Sequence, residues 1–361
     1  MEETTTPTSP PQRSFAARLG PTAKLLVLGG LVLVLLIPVS SVLSLVRERQ
    51  ARAEQVREEI GALWGREQIL GAAVLTLPVR VHHGDTVNQG NVHLLPAAIH
   101  WRGELSPQLR NRGIFDVPVY EARLRAEGWF ELQDLAALGV SPESGRWERA
   151  ELTIGVSDLR GIQERLELEW AGRRIPFVPG SASPELLPEG LQAQVGSPAP
   201  AAPDARLPFS FEILLRGSET LQLLPLGEVT TVKLASTWPD PGFGGAFLPR
   251  ERSVRSDGFT AAWDVPYFGR GYPQAWWQGS QQGAQIRGAA ASSAFGVTLI
   301  RPADQYQRTE RSVKYAVLFI GLTFTALFLL ELLSAVRLHP VEYLLVGFAL
   351  CLFYVLLLAL A

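Results

Sequence analysis

Twenty-two consecutive residues without a charge, Leu25–Val46 (LLVLGGLVLVLLIPVSSVLSLV), constrain this chain more than any other feature. A run of that length is enough to cross a bilayer as a helix. A cleaved signal peptide needs only 7 to 15 apolar residues and a small-x-small site after them, whereas this run ends in Val-Arg-Glu-Arg, so the run is read as an anchor. Two further apolar runs stand near the other end. Tyr315–Val336 is interrupted only by Glu331, and Tyr343–Ala361 follows after Arg337-Leu338-His339-Pro340, a link too short for anything but a helical hairpin. The 47% apolar content of the 361 residues agrees with a protein partly embedded in lipid.

The chain thereby divides into a polar leader (1–24), a first span (25–46), a stalk (47–65), a large domain (66–313), a second span (314–336), the hairpin (337–340) and a third span (341–361). In the stalk Val46, Ala53, Val56, Ile60 and Leu63 recur at helical spacing, and four Arg are matched by four Glu between Arg47 and Glu59, as on a solvated helix. The large domain changes to a period of two. Tyr120, Ala122, Leu124 and Ala126 alternate with charged residues, and so do Leu166, Leu168 and Trp170; Leu152, Ile154 and Val156, Phe209–Leu215 and Phe259–Val265 keep the same period. Such strands have one wet face, which predicts a mainly antiparallel, sandwich-like β domain. Eight prolines between Pro176 and Pro208 read as an excursion or linker between two groups of strands.

Chemistry is sparse. Thirty-three Lys and Arg oppose 35 Asp and Glu, with only three Lys, so no nucleic-acid surface is expected. One cysteine, Cys351, excludes an internal disulfide and a multi-cysteine zinc site. A metal site can be drawn from His82, Asp85 and His93, but the spacing fits no ligand motif, and Gly84–Asn91 reads as a hairpin turn; no metal and no cofactor are expected. Asp158-Leu159-Arg160-Gly161 reads as a turn rather than an acid with an arginine clamp. No nucleophile elbow or phosphate-binding glycine loop appears, so no catalytic residue is assigned and the chain is not expected to be an enzyme.

The best binding candidate is the Trp-, Pro- and Gly-rich stretch with Trp238, Pro239, Phe243, Phe247 and Pro249, joined by Trp263, Tyr267, Tyr272, Trp276 and Trp277. Rigid aromatic loops present apolar area at low entropic cost. They serve equally to plug the end of a sandwich. Glu331 lies about 24 Å along a span of about 30 Å, where it is expected to snorkel or to pair with Arg337 or His339.

Several stretches carry a resemblance. They are Arg110-Asn111-Arg112-Gly113-Ile114-Phe115-Asp116-Val117-Pro118-Val119-Tyr120, Ser157–Ile162, Ser236–Pro249, Tyr272–Trp276, Arg311–Phe324 and His339–Gly347. In this order, from about Val46 to Ala361, they resemble the CreD family of bacterial inner-membrane proteins. The resemblance implies a cytoplasmic N-terminus, a large periplasmic domain and a role in cell envelope integrity and stress response, without transferable catalytic chemistry. It decides a topology that charge counting leaves open, since four Lys and Arg would flank the membrane on one side and seven on the other. Partners expected on this reading are membrane lipid and envelope proteins or lipids. The alternatives are a transport or lipid-handling protein and a periplasmic hydrolase. Where the family commonly has Trp-Pro-His-Pro-Ser-Phe, this chain has Trp238-Pro239-Asp240-Pro241-Gly242-Phe243. The family also continues into further spans, so the chain is expected to be C-terminally truncated, with a third helix that exposes packing faces such as Gly347 to lipid.

Overall fold

The computed structural model describes residues 21–83, 86–196, 205–300, 315–334 and 338–359. The leader up to residue 20, Asp85 and, of the hairpin, Arg337 lie outside the described residues. The chain forms two units, Gln55–Pro302 and a helical one that holds residues up to Glu54 and from Ala303 onward. Helix α1 is continuous over Pro21–Trp64, and its last ten residues belong to the β unit.

Seventeen strands, numbered in chain order, form two sheets among the described residues. The nine-stranded sheet runs β13 (Pro241–Gly245), β17 (Phe295–Leu299), β11 (Thr220–Leu224), β1 (Gln68–His83), β5 (Glu151–Val156), β9 (Gly190–Gln194), β8 (Val178–Pro179). Strand β2 (Thr86–Leu94) pairs with β1, and β16 (Ala275–Trp277) pairs with β2. The eight-stranded sheet runs β14 (Glu251–Arg255), β15 (Gly258–Pro266), β12 (Val229–Ser236), β3 (Ala98–Arg112), β4 (Phe115–Phe130), β10 (Leu207–Ser218), β6 (Glu167–Trp170), β7 (Arg173–Pro176). Pairing is antiparallel except for β1 with β11 and β3 with β12. Both sheets contribute to one core, in which Leu75, Leu77 and Leu152 meet Trp101, Leu124 and Phe211. The domain is therefore a mainly antiparallel sandwich.

A third layer covers part of the nine-stranded sheet. Strand β5 is not wet on one face: Thr153 and Gly155 are as buried as Leu152 and Ile154. Their cover comes from the proline-rich stretch, where Leu186 and Leu187 are buried, and from helix α2 (Gln281–Ser292), whose Ile286 and Ala290 pack with Val74, Leu95 and Trp276. Gly71 and Gly155 stand opposite each other in the β1–β5 ladder. A Cβ on either would come within 2.7 or 2.6 Å of the Leu187 side chain. The two glycines thus leave the depression that Leu187 fills. A bulge between Gly71 and Val74, with Ala73 at φ 60°, puts Val74 under this layer while Leu75 faces the main core. Among the described residues of the proline-rich stretch, β8 and β9 extend the edge of the nine-stranded sheet and the segment between them, with Leu186 and Leu187, covers its face. The β1–β2 turn also differs from expectation: His83 pairs with Thr86, so Thr86–Asn91 is strand, because a two-residue loop suffices to reverse an antiparallel chain.

At the foot of the sandwich the end of α1, both sheets and the turn at 158–161 converge. Trp64 lies between the Arg110 and Arg216 guanidinium groups, 4.3 and 4.2 Å from its ring, and donates to the Tyr120 carbonyl at 3.3 Å. Arg216 is held by Glu121 at 2.8 Å. Val56 and Ile60 of α1 pack on Val117 and Val119, while Leu63 is exposed. Fully buried Gln68 donates to the Asp158 and Arg216 carbonyls at 3.1 and 3.0 Å, tying the start of β1 to β10 in the other sheet.

In the helical unit α1 packs with α3 (Ala316–Leu333) and α4 (Pro340–Ala359). By length and composition α1 and α3 can each cross a bilayer, and α4 carries a shorter apolar stretch. Gly347 is buried rather than exposed to lipid: a methyl group there would collide with Leu35, and Phe324 lies 3.0 Å away. If Leu187 holds the third layer in place, Leu187→Ala should destabilise the protein by about 2–5 kcal/mol, read as a lower thermal midpoint in detergent.

Candidate functional site

The stretch singled out in the sequence is built mostly inward. Strand β13 pairs with β17, which turns Phe243 into edge-on contact with Phe259 and Trp263 at 5.5 and 5.8 Å. Phe247 meets Phe295 edge-on at 5.9 Å and its carbonyl accepts from the Trp263 indole at 3.3 Å. The Trp238 indole donates to the Ile300 carbonyl at 3.0 Å. These three rings are half-buried against the main core. Pro239 is exposed, Pro249 is half-buried, and Leu248 between Phe247 and Pro249 is 66% exposed.

Trp276 does not share this surface. It is fully buried on β16, opposite His93 in register, with its ring 5.1 Å from the imidazole and its indole N–H donating to Glu185 at 3.3 Å. The third layer covers it, a consequence of tertiary packing that its Trp-Trp neighbourhood does not announce.

Beside Tyr267, which the sequence singled out, stands a ring it did not. A short 3-10 turn, Tyr267–Gly269, carries Phe268 at 86% exposure, with the Tyr267 ring tilted against it at 4.6 Å. Gly269 sits against Phe247, since a Cβ there would fall within 2.7 Å of that ring. Leu248, Tyr267 and Phe268 therefore form one apolar tip over a plug made by Phe247. The readable signal was Tyr267-Phe268-Gly269-Arg270-Gly271-Tyr272-Pro273, an aromatic pair among glycines and proline.

Beneath the tip Arg270 is buried. Its guanidinium donates to the Leu226 carbonyl at 2.7 Å, bonds Gln274 and lies 4.9 Å over the Tyr272 ring. Burial lowers its pKa, while Tyr272, Glu228 and Asp134 oppose that shift. Asp134 is pushed upward by its own burial and by Glu228 and Glu131. The cation fastens the turn to the β11–β12 connection, so the exposed rings project from an ordered base.

The drawn metal set does not converge. His82 pairs with Val87 and His93 with Thr76, six residues apart on β1, or about 20 Å at strand spacing. His93 is committed to Thr76 at 3.0 Å, and burial lowers its pKa to about 4, against the opposing pull of Glu185. Asp85 lies outside the described residues. Asp158 is the cap of its turn: it accepts from the Arg160 backbone at 3.1 Å, from the Arg160 guanidinium at 2.9 Å and from the Arg66 backbone at 3.1 Å. The bond from Arg160 holds its carboxyl below the ordinary range. It is a fastening, not a reactive acid.

Among the described residues Glu331 is ion-paired with Lys24 of α1, a partner that the sequence reading did not name. Lys24 also donates to the Leu338 carbonyl at 2.9 Å, and the Tyr343 hydroxyl donates to Glu331 at 3.1 Å. His339 is turned to the backbone of Val341, and Arg337 lies outside the described residues. Three helices thus share one carboxylate. Sequence spacing cannot show this pair, because its members stand 307 residues apart. Removing Lys24 alone (Lys24→Leu) should cost about 3–5 kcal/mol in thermal unfolding, and Lys24→Leu with Glu331→Leu should recover most of it, since the lone buried charge is then gone.

The comparisons with known proteins follow the same outline. The profile of the family described as "Inner membrane protein CreD" matches residues 21–361. The Escherichia coli (strain K12) protein described by the same words is 33% identical over 348 residues, which cover 94% of this chain and 75% of that protein. With apolar helices at both ends of a β sandwich and a family match that runs through all of them, the chain belongs to the CreD family of inner-membrane proteins.

Proposed function

We propose that this protein maintains the cell envelope without catalysis, by binding an envelope partner through the apolar tip of its β domain, which faces the periplasm. The observation that carries this reading is the exposure of Phe268, Leu248 and Tyr267 together on an ordered base. A large exposed ring on a turn anchored by a buried arginine is a preorganised contact, because little conformational freedom remains to be lost on association. Of the groups that a hydrolase would need, Asp158 is engaged by Arg160 and Arg66, and His93 is fully buried with Nδ1 on Thr76, away from solvent. The intramembrane carboxylate that a transporter would use is closed by Lys24 and Tyr343.

The helical unit supports the periplasmic reading. Lys24 at the start of α1 meets Glu331 near the end of α3 and Leu338 before α4, so these three ends share one side. With the cytoplasmic leader that the family resemblance implies, the opposite ends of α1 and α3, between which the β unit lies in sequence, belong to the periplasmic side.

Phe268→Ser with Leu248→Ser should abolish complementation of a deletion strain challenged with detergent, while leaving the thermal midpoint of the purified protein within a few degrees. Loss of both would make the tip a structural plug, and loss of neither would put binding elsewhere. For topology, Asp257 is exposed whereas Ser183 is fully buried, so Asp257→Cys is the informative position. It should react with an impermeant thiol reagent in intact spheroplasts; labelling only after lysis would reverse the orientation.

A further inference from the structure

The outer face of the eight-stranded sheet holds a groove of about 730 Å³ that none of the residues discussed so far explains. Its floor is low because the outward residues of β12 and β15 are small: Ala235, Thr260 and Ala262. Long side chains of β3 and β4 wall one side, and Glu251 and Ser253 of edge strand β14 the other.

Across this floor the register puts three cations abreast. Lys233 is opposite Arg102, and Arg102 is opposite Arg125. Neighbouring strands stand about 4.8 Å apart, and like charges directly opposite each other are unfavourable. Acidic neighbours only partly relieve this row. Arg125 is fixed through Nε to Glu127 at 2.6 Å, which leaves its terminal nitrogens free to point elsewhere, and Arg123 faces Glu212 at 3.7 Å. Arg102 and Lys233 make no ion pair among the described residues, and both are exposed. Glu104, Glu212 and Glu251 also line the groove, so its charge is focused on the central row rather than spread.

We infer that this groove binds a soluble phosphoryl-bearing anion, held across Lys233, Arg102 and Arg125. A carboxylate is satisfied by a single arginine fork, whereas a phosphoryl group offers several oxygens to two forks and an ammonium at once. The adjoining depression continues with hydroxyls, Ser106, Ser236 and Thr237. None of the large exposed apolar side chains lines either part, so acyl chains find no wall there. The occupant is accordingly a small hydroxylated phosphate compound and not a lipid.

Titration calorimetry of the full chain in detergent, with inorganic pyrophosphate at constant ionic strength, tests this. The native chain should bind, and Arg102→Gln with Lys233→Gln should weaken binding at least tenfold with a thermal midpoint that does not fall, both side chains being exposed and their mutual repulsion removed. Arg149→Gln, an exposed arginine outside the groove, and the tip variant Phe268→Ser should bind as the native chain does. No binding by the native chain, or equal binding by the double variant, would overturn the assignment. Tighter binding of dihexanoylphosphatidylglycerol through the same two side chains would assign the groove to a lipid headgroup and overturn the soluble occupant.

Discussion

Everything in the β unit is organised from the place where helix α1 ends. Trp64 holds two guanidinium groups over its ring, and a cation over an indole is a favourable contact for a partly exposed ring. Gly65 then turns the chain at φ 144°, so close to the Arg216 carbonyl that a side chain would not fit. Three residues on, Gln68 is buried with its amide shared among Asp158, Ser157 and Arg216. A buried amide without these partners would be costly, so the network fixes the start of β1 beside the end of β5 and ties it to β10 of the other sheet. Since β1 is the inner strand from which β2, β5 and β11 are laid down, an error here would misplace most of the nine-stranded sheet.

Polar groups elsewhere follow the same logic in a less forgiving medium. Glu331 and Lys24 are both largely covered, and the hydroxyl of Tyr343 takes a second carboxylate oxygen. In hydrocarbon an unpaired charge has no water to turn to, so a carboxylate shared among three helices orders them as well as surviving there. Gly347, against Leu35 and Phe324, lets α4 approach closely in the manner of small residues at membrane helix interfaces.

The tip and the groove use different physics. At the tip, half-buried Phe247 and buried Arg270 support rings that remain in water, where apolar area has most to gain from a partner. In the groove, small residues on β12 and β15 and cations on β12, β3 and β4 produce a concave, positively focused floor. The groove rests on strands whose opposite faces are in the main core, and the tip on a turn fastened by Arg270 and backed by Phe247, so each surface is held by what lies behind it.

What the sequence determined by itself is local and periodic. Uncharged length announces membrane helices because no other structure satisfies the backbone in lipid, and alternation announces strands because successive side chains point to opposite faces. Thus Tyr120–Ala126, Phe209–Leu215 and Phe259–Val265 were legible as strands, and Asp158–Gly161 as a turn. Tertiary structure alone decided what lies over a strand and what lies beside a residue distant in sequence. Thr153 and Gly155 alternate like wet positions yet are covered, Thr153 accepting from the Ala182 backbone and Gly155 lying under Leu187, and Trp276 belongs to the same aromatic stretch as Tyr267 yet is sealed with α2. Phe268 went unnoticed because exposure is not a property of a residue type. Lys24 with Glu331, and Lys233 beside Arg102, meet only after the chain has closed loops of more than a hundred residues, and no spacing rule reaches that far.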